Sequence, residues 1–222
     1  TIEIFKTKFA SQKNKSKILP NLNYLLNKLI MTFIENTYDK ETFSNLENIW
    51  QKIFEKEFNN CTFKKCDFSQ TDFSKTTFND CKFLNCNLSN IKLTNSWCQN
   101  IYFEKTKLVW VDFSVVNSFS LNLSFKNCLI NLCSFNGLDL QNTKFIDSTI
   151  TDSGFVDTNL AKSDFSNSIL KWTKFINADL SNTNFITSIW YYIDPTKNKL
   201  KKAKFSQGEV LNLLAWFDIE IF

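Results

Sequence analysis

The stretch CTFKKCDFSQTDFSKTTFNDCKF, residues 61–83, brings back a phenylalanine at every fifth position: Phe63, Phe68, Phe73, Phe78 and Phe83. An α-helix buries residues about 3.6 apart and a strand buries every second one, so a period of five fits neither. Outward from this stretch the spacing continues from Phe58 through Leu88, Leu93, Cys98, Phe103 and Leu108 to Phe113. The next clear centre is Phe125, which places a two-residue insertion in SVVNSFSLNLS, residues 114–124. The rhythm then runs through Ile130, Phe135, Leu140 and Phe145 as far as Trp190. Two residues before each centre stands a compact side chain, such as Cys61, Cys66, Thr71, Thr76, Cys81 and Cys86 early, or Ser163, Ser168, Thr173, Ala178 and Thr183 later.

A second period lies inside the first. Every twentieth residue after the insertion is of one kind: Phe125, Phe145, Phe165, Phe185 in one column, Phe135, Phe155, Phe175 in another, with Ile130, Ile150, Leu170 and Leu140, Leu160, Leu180 between them. If four pentads make one square coil, two opposite walls carry phenylalanine and two carry aliphatics, which fills a narrow interior at close packing. With three glycines and two prolines in 222 residues, the corners fall to Asn, Asp and Ser.

Pentads such as CDFSQ (66–70), TNLAK (158–162), SDFSN (163–167) and ADLSN (178–182) resemble those of the pentapeptide-repeat proteins: a small residue, Asp or Asn, then Leu or Phe, then two variable positions. The resemblance implies a β fold, a right-handed quadrilateral β-helix of about seven coils over residues 57–205. Residues 1–56 are expected to form a largely helical N-terminal extension, because Leu22, Leu25, Leu26, Leu29, Ile30 and Phe33 make one helical stripe and Phe43, Leu46, Ile49, Trp50, Ile53 and Phe54 another, with Ser44 and Glu47 at capping-box spacing. Residues 206–222 are expected to give a capping helix opened by Ser206 and Glu209, with Val210, Leu211, Leu214 and Phe217 on one side and Leu213 and Trp216 extending the apolar surface.

All 26 basic residues are lysine and there is no histidine. Bidentate arginine clamps on base edges are therefore missing, as is the usual general base near neutral pH. The expectation is a protein without catalytic residues, cofactor, metal site or direct nucleic-acid contact. The longest apolar run, LNYLLNKLIMTFI at residues 22–34, contains Lys28 and is too short for a membrane span. Without a signal-peptide pattern the chain is placed in the cytoplasm, with its seven cysteines reduced. Six of those cysteines occupy the compact inward position, where packing is the expected role.

Candidate partner-binding residues are the outward apolar ones: Trp97, Tyr102 and Trp110 near the insertion, Trp172, and Val156 stacked with Ile176. Val115, Val116, Asn117, Ser118 and Phe119 are candidates for a projecting loop or, equally, a corner bulge. Asp139, Asn159, Asp179 and Asp164, Asn184 form outward columns, expected to bond their own backbone at corners. The family resemblance implies a protein partner, DNA gyrase or topoisomerase IV, engaged by DNA mimicry with resistance to quinolones or a toxin, and a homodimer through the terminal helix. The alternative is an adaptor scaffold for an unrelated protein. Residues 57–192 carry 12 acidic and 12 basic side chains, which weakens the mimicry reading.

Overall fold

The computed structural model describes residue 33, residues 35–47 and 52–217, and residue 219. The chain divides into two compact units, Thr1–Ile34 and Glu35–Phe222. The first expected helical stripe lies outside the described residues apart from Phe33. The second unit is a right-handed quadrilateral β-helix of about eight turns. All of its strand pairs are parallel and in register twenty residues apart, or twenty-two across the insertion, as in Phe125 opposite Phe145 and Phe103. Backbone groups are satisfied from coil to coil: the Phe165 N–H donates to the Asn184 carbonyl at 2.8 Å, and the Asn184 N–H to the Ser163 carbonyl at 2.9 Å. A narrow solenoid thereby meets the requirement that buried backbone be paired.

Two opposite walls carry ring stacks, as the twenty-residue columns predict. Phe125, Phe145, Phe165, Phe185 and Phe205 stack face to face at 4.8–5.2 Å, and Phe113, Phe135, Phe155 and Phe175 do likewise. Rings from the two opposite walls meet edge to face across the interior, for example Phe145 with Phe155 at 5.6 Å and 86°. The edge-to-face contacts suit the ring quadrupole.

The compact position does more than leave room. Thr158 and Ser163 hydroxyls donate to the carbonyls of Phe135 and Leu140, at 3.0 and 2.9 Å. The thiols of Cys81 and Cys86 donate likewise to the carbonyls of Phe58 and Phe63, at 3.3 and 3.4 Å. Cysteine, serine and threonine interchange there because each is a small donor aimed at the preceding coil. All seven cysteines are buried and free.

The β-helix begins earlier than residue 57. Strand Thr37–Asp39 pairs with Glu57–Asn59, and Thr42–Ser44 with Thr62–Lys64. Among the described residues the expected second helix is replaced by strand: Ser44 ends a strand, and Tyr38 and Phe43 stack on Phe58 and Phe63 at 5.2 and 5.3 Å, while Ile49 and Trp50 of that stripe lie outside the described residues. Tyr38, Phe43 and Ile53 stand in the pentad register, whereas Asn48 interrupts it in sequence and left the apolar spacing looking helical. The first strands of the β-helix were hidden there.

Corners lie two residues after each centre, in the left-handed region. Of the 29 non-glycine residues with positive φ among the described residues, fifteen are Asn or Asp, the side chains that tolerate it best. In the pentads that carry Asp or Asn just before the centre, that side chain accepts a local backbone N–H: Gln141 N–H to Asp139, Ala161 to Asn159, Ser166 to Asp164, Ser181 to Asp179 and Ile186 to Asn184. The outward polar columns are thus corner staples, as expected.

The C-terminal end departs from the sequence reading twice. Trp190, taken as a pentad centre, is 56% exposed with φ 60°, and Tyr191 enters the core one residue later. The terminal helix is a 3₁₀ helix, Glu209–Phe217, rather than one opening at Ser206. The capping box is diverted, since the Glu209 carboxylate accepts the Trp190 N–H at 3.2 Å and the Asn212 amide at 3.0 Å.

Candidate functional site

The corner geometry decides which large side chains face solvent. Trp110 and Trp172 occupy one corner column, with Leu132 and Asp152 in the coils between them, and all four have positive φ. Trp190 is the third tryptophan held this way. A bulky residue in the left-handed region is strained by about 1–2 kcal/mol, yet these three are 61%, 64% and 56% exposed. Burial does not compensate that strain. Residues in such conformations cluster at functional sites.

The other sequence candidates are spread more widely. Val156 and Ile176 pair side by side on one face, while Tyr102 is half-buried within a strand beside Ser124. Trp97 is partly exposed and meets the ring of Phe119 edge-on at 6.4 Å. The insertion does not project as a loop of five residues. Val116 is buried at the compact position, its N–H bonded to the Phe113 carbonyl, and Asn117 bonds back to the Ser96 carbonyl and pairs with Trp97. Val115 is exposed at the edge of the coil, and the segment from Ser118 to Ser120 turns outward, carrying Phe119 at 75% exposure. It is a corner bulge, because the two added residues are absorbed before Leu123 rejoins the sheet opposite Ile101.

One end of the rod gathers several of these features. Between the terminal helix and the last coils lies a groove of about 790 Å³, lined by Lys171, Trp172, Thr173, Lys174, Phe175, Ile176, Trp190, Tyr191, Tyr192, Asp194, Lys197, Asn212 and Trp216. Trp216 lies against Tyr192, ring centres 4.5 Å apart, and Leu213 is the buried residue of the helix. Val210 and Leu214 are half-buried, whereas Leu211 and Phe217 remain exposed. The Lys171 ammonium sits 4.1 Å from the Trp172 ring centre and 5.4 Å from that of Trp190, and Lys197 lies 5.7 Å from the Trp216 ring centre. Lys197 also pairs with Asp194 at 3.4 Å. Desolvation, aided by the charge of Glu209, pushes the Tyr191 hydroxyl up to about 12. That hydroxyl and the Trp216 indole nitrogen are buried without a hydrogen-bond partner, a condition that costs about 1–3 kcal/mol each. Trp190 and Tyr192 were missed in the sequence because the fivefold count ran straight through them. The doublet of aromatics after Trp190 was the available signal.

Charge along the rod is interleaved rather than segregated. Asn100, Asn167, Asn177 and Asn184 each donate their amide to the aspartate one coil back, Asp80, Asp147, Asp157 and Asp164, at 2.6–3.0 Å. Ser181, through its hydroxyl and N–H, and Lys199 hold the Asp179 carboxyl below the usual range against its desolvation. Carboxylates alternate with amides or lysines in these columns, so none of them is a line of negative charge.

A square solenoid built from such pentads defines a class of β-helical scaffold. Family models describing a pentapeptide repeat region and pentapeptide repeats match residues 56–132 and 154–189, about half of the chain together. The chain belongs to the pentapeptide-repeat family. It is similar in fold to two trypsin-treated variants of QnrB1, a plasmid-mediated fluoroquinolone resistance protein. One aligns with TM-score 0.64 and 18% identity over 81% of this chain and 99% of the other; the second gives 0.59 and 18% over 82% and 100%. No curated protein matches by sequence. Among the described residues, no helix is long and apolar enough to cross a membrane.

Proposed function

We propose that this protein is a non-catalytic binding protein whose partner is another protein. The observation that carries the reading is the exposure of Trp110, Trp172 and Trp190 at strained left-handed corners, since large apolar side chains displayed in solvent are the usual anchors of interfaces. A type II topoisomerase, DNA gyrase or topoisomerase IV, is the first partner to test, with quinolone or toxin resistance as the consequence. Fold likeness to QnrB1 supports that choice. The alternation of amide and carboxylate disfavours contact by mimicry of DNA's continuous charge and favours contact through the aromatic corners. A cytoplasmic setting accords with seven free thiols.

In a supercoiling assay with purified gyrase, excess protein is expected either to inhibit the enzyme or to restore its activity in the presence of ciprofloxacin. Neither effect at saturating protein removes the topoisomerase and leaves the adaptor scaffold with an unrelated partner.

The exposed side of the terminal helix, Leu211 and Phe217 with Ile219 beyond it, is proposed as the face of a homodimer. Light scattering is expected to give twice the chain mass for the wild type and a single mass for Leu211→Glu with Phe217→Glu. A monomeric wild type makes the helix a cap alone.

A further inference from the structure

We infer that the groove between the terminal 3₁₀ helix and the last coils is a binding site for a small planar anion, an aromatic carboxylate or sulfonate of one or two fused rings. Its volume of about 790 Å³ lies within the range of small-molecule sites. The walls from Trp172, Trp190, Tyr192 and Trp216 offer ring faces and edges that accept a flat apolar body. The charge of the site is what selects the sign of the ligand. Lys171 and Lys174 line the groove, and among the described residues neither has a carboxylate within ion-pair distance. The two acids nearby are occupied: Asp194 pairs with Lys197, and Glu209 accepts the Trp190 N–H and the Asn212 amide.

Lys171 is held by the two indoles, so its ammonium is fixed beside the apolar walls rather than swinging in solvent. A bound anion would supply the missing counter-charge at that point. The Tyr191 and Trp216 rings contribute further apolar lining, their polar atoms being buried away from solvent. A cationic ligand meets unpaired lysines, and a neutral one leaves their charge uncompensated. The groove shares Trp172 and Trp190 with the proposed protein-contact surface, but its test involves no topoisomerase, so the supercoiling result does not bear on it.

The probe is 8-anilinonaphthalene-1-sulfonate, read by its fluorescence and by energy transfer from tryptophan, beside its uncharged analogue N-phenyl-1-naphthylamine. The wild type is expected to bind the sulfonate saturably, one per chain, and more tightly than the neutral analogue. Trp172→Asn with Trp190→Asn keeps a side chain that the corners favour, so the fold is preserved, and is expected to weaken binding at least about tenfold. Lys171→Gln is expected to weaken the sulfonate several-fold while leaving the neutral analogue unchanged. Trp110→Asn, on the same corner but away from the groove, should change neither. Equal binding by the wild type and the Trp172, Trp190 double variant overturns the site. Equal affinity for the two probes, with no effect of Lys171→Gln, overturns the anion.

Discussion

Phe145→Ala is expected to destabilise the β-helix by about 3–5 kcal/mol, the usual cost of removing a buried phenylalanine. The ring is fully buried, stacked 4.9 Å from Phe125 and 4.8 Å from Phe165, and it meets Phe135 and Phe155 edge-on at 5.8 and 5.6 Å. Removing it takes a contact from four rings at once. Collapse cannot close the gap, because the coil spacing is fixed by the backbone ladder on every side. Phe145→Leu should cost far less, since leucine fills the adjacent walls at Leu140 and Leu160 without a change of backbone. Phe119→Ala, on the exposed bulge, should be near neutral. Urea unfolding of the three variants checks the order. A loss under about 1 kcal/mol for Phe145→Ala would mean that the interior relaxes as a solenoid with loose coils does.

The parts of the fold legible in sequence are those where one residue type recurs at a fixed count. Phe125, Phe145, Phe165 and Phe185 announced a wall because twenty residues of chain return to the same place. The count failed wherever a single residue broke it. Asn48 hid the coil containing Tyr38 and Phe43, and the neighbouring apolar residues then fell at helical spacing. At the other end Trp190 arrived on the fifth position yet turned outward, since the chain makes an extra left-handed corner there and Tyr191 takes the interior place. The terminal helix was visible from its apolar residues, but its opening was not, because Glu209 bonds to a backbone N–H nineteen residues earlier.

The candidate surface was legible in part for a related reason. An outward tryptophan two residues after a centre is a corner residue by count alone, so Trp110 and Trp172 could be placed from sequence. What brings Trp172 together with Trp190, Tyr192 and Trp216 is the irregular step after Ser188 and the docking of the helix, neither of which follows from a period. The insertion shows the converse. Its length left a projection and a corner bulge equally open, whereas the buried Val116 and the pairing of Asn117 with Trp97 keep most of it in the coil.

Raising the pH from 9 to 11 is expected to unfold the protein, and the buried thiols are the cause. Desolvation pushes Cys81 and Cys98 up to about 12, and Cys128 and Cys133 up to about 11, from an ordinary value of 9.0. Below pH 9 both native and unfolded chains hold these protons, so the stabilisation is fully present. Above it the unfolded chain releases them while the native chain keeps them, and stability falls until the native values are passed. Each thiol contributes a slope of about 1.4 kcal/mol per pH unit. Four together reach about 5 kcal/mol per unit, comparable with the whole stability of a typical domain. Native deprotonation would also set a thiolate against the carbonyl that accepts its proton, as at Cys81 and Phe58. Serine makes the same bond elsewhere in the rod without titrating, so Cys81→Ser, Cys128→Ser, Cys133→Ser should fold normally at pH 7. Circular dichroism against pH should show its alkaline transition displaced upward and made shallower relative to the wild type. Coincident alkaline transitions in the two proteins would assign the loss to groups other than the buried thiols.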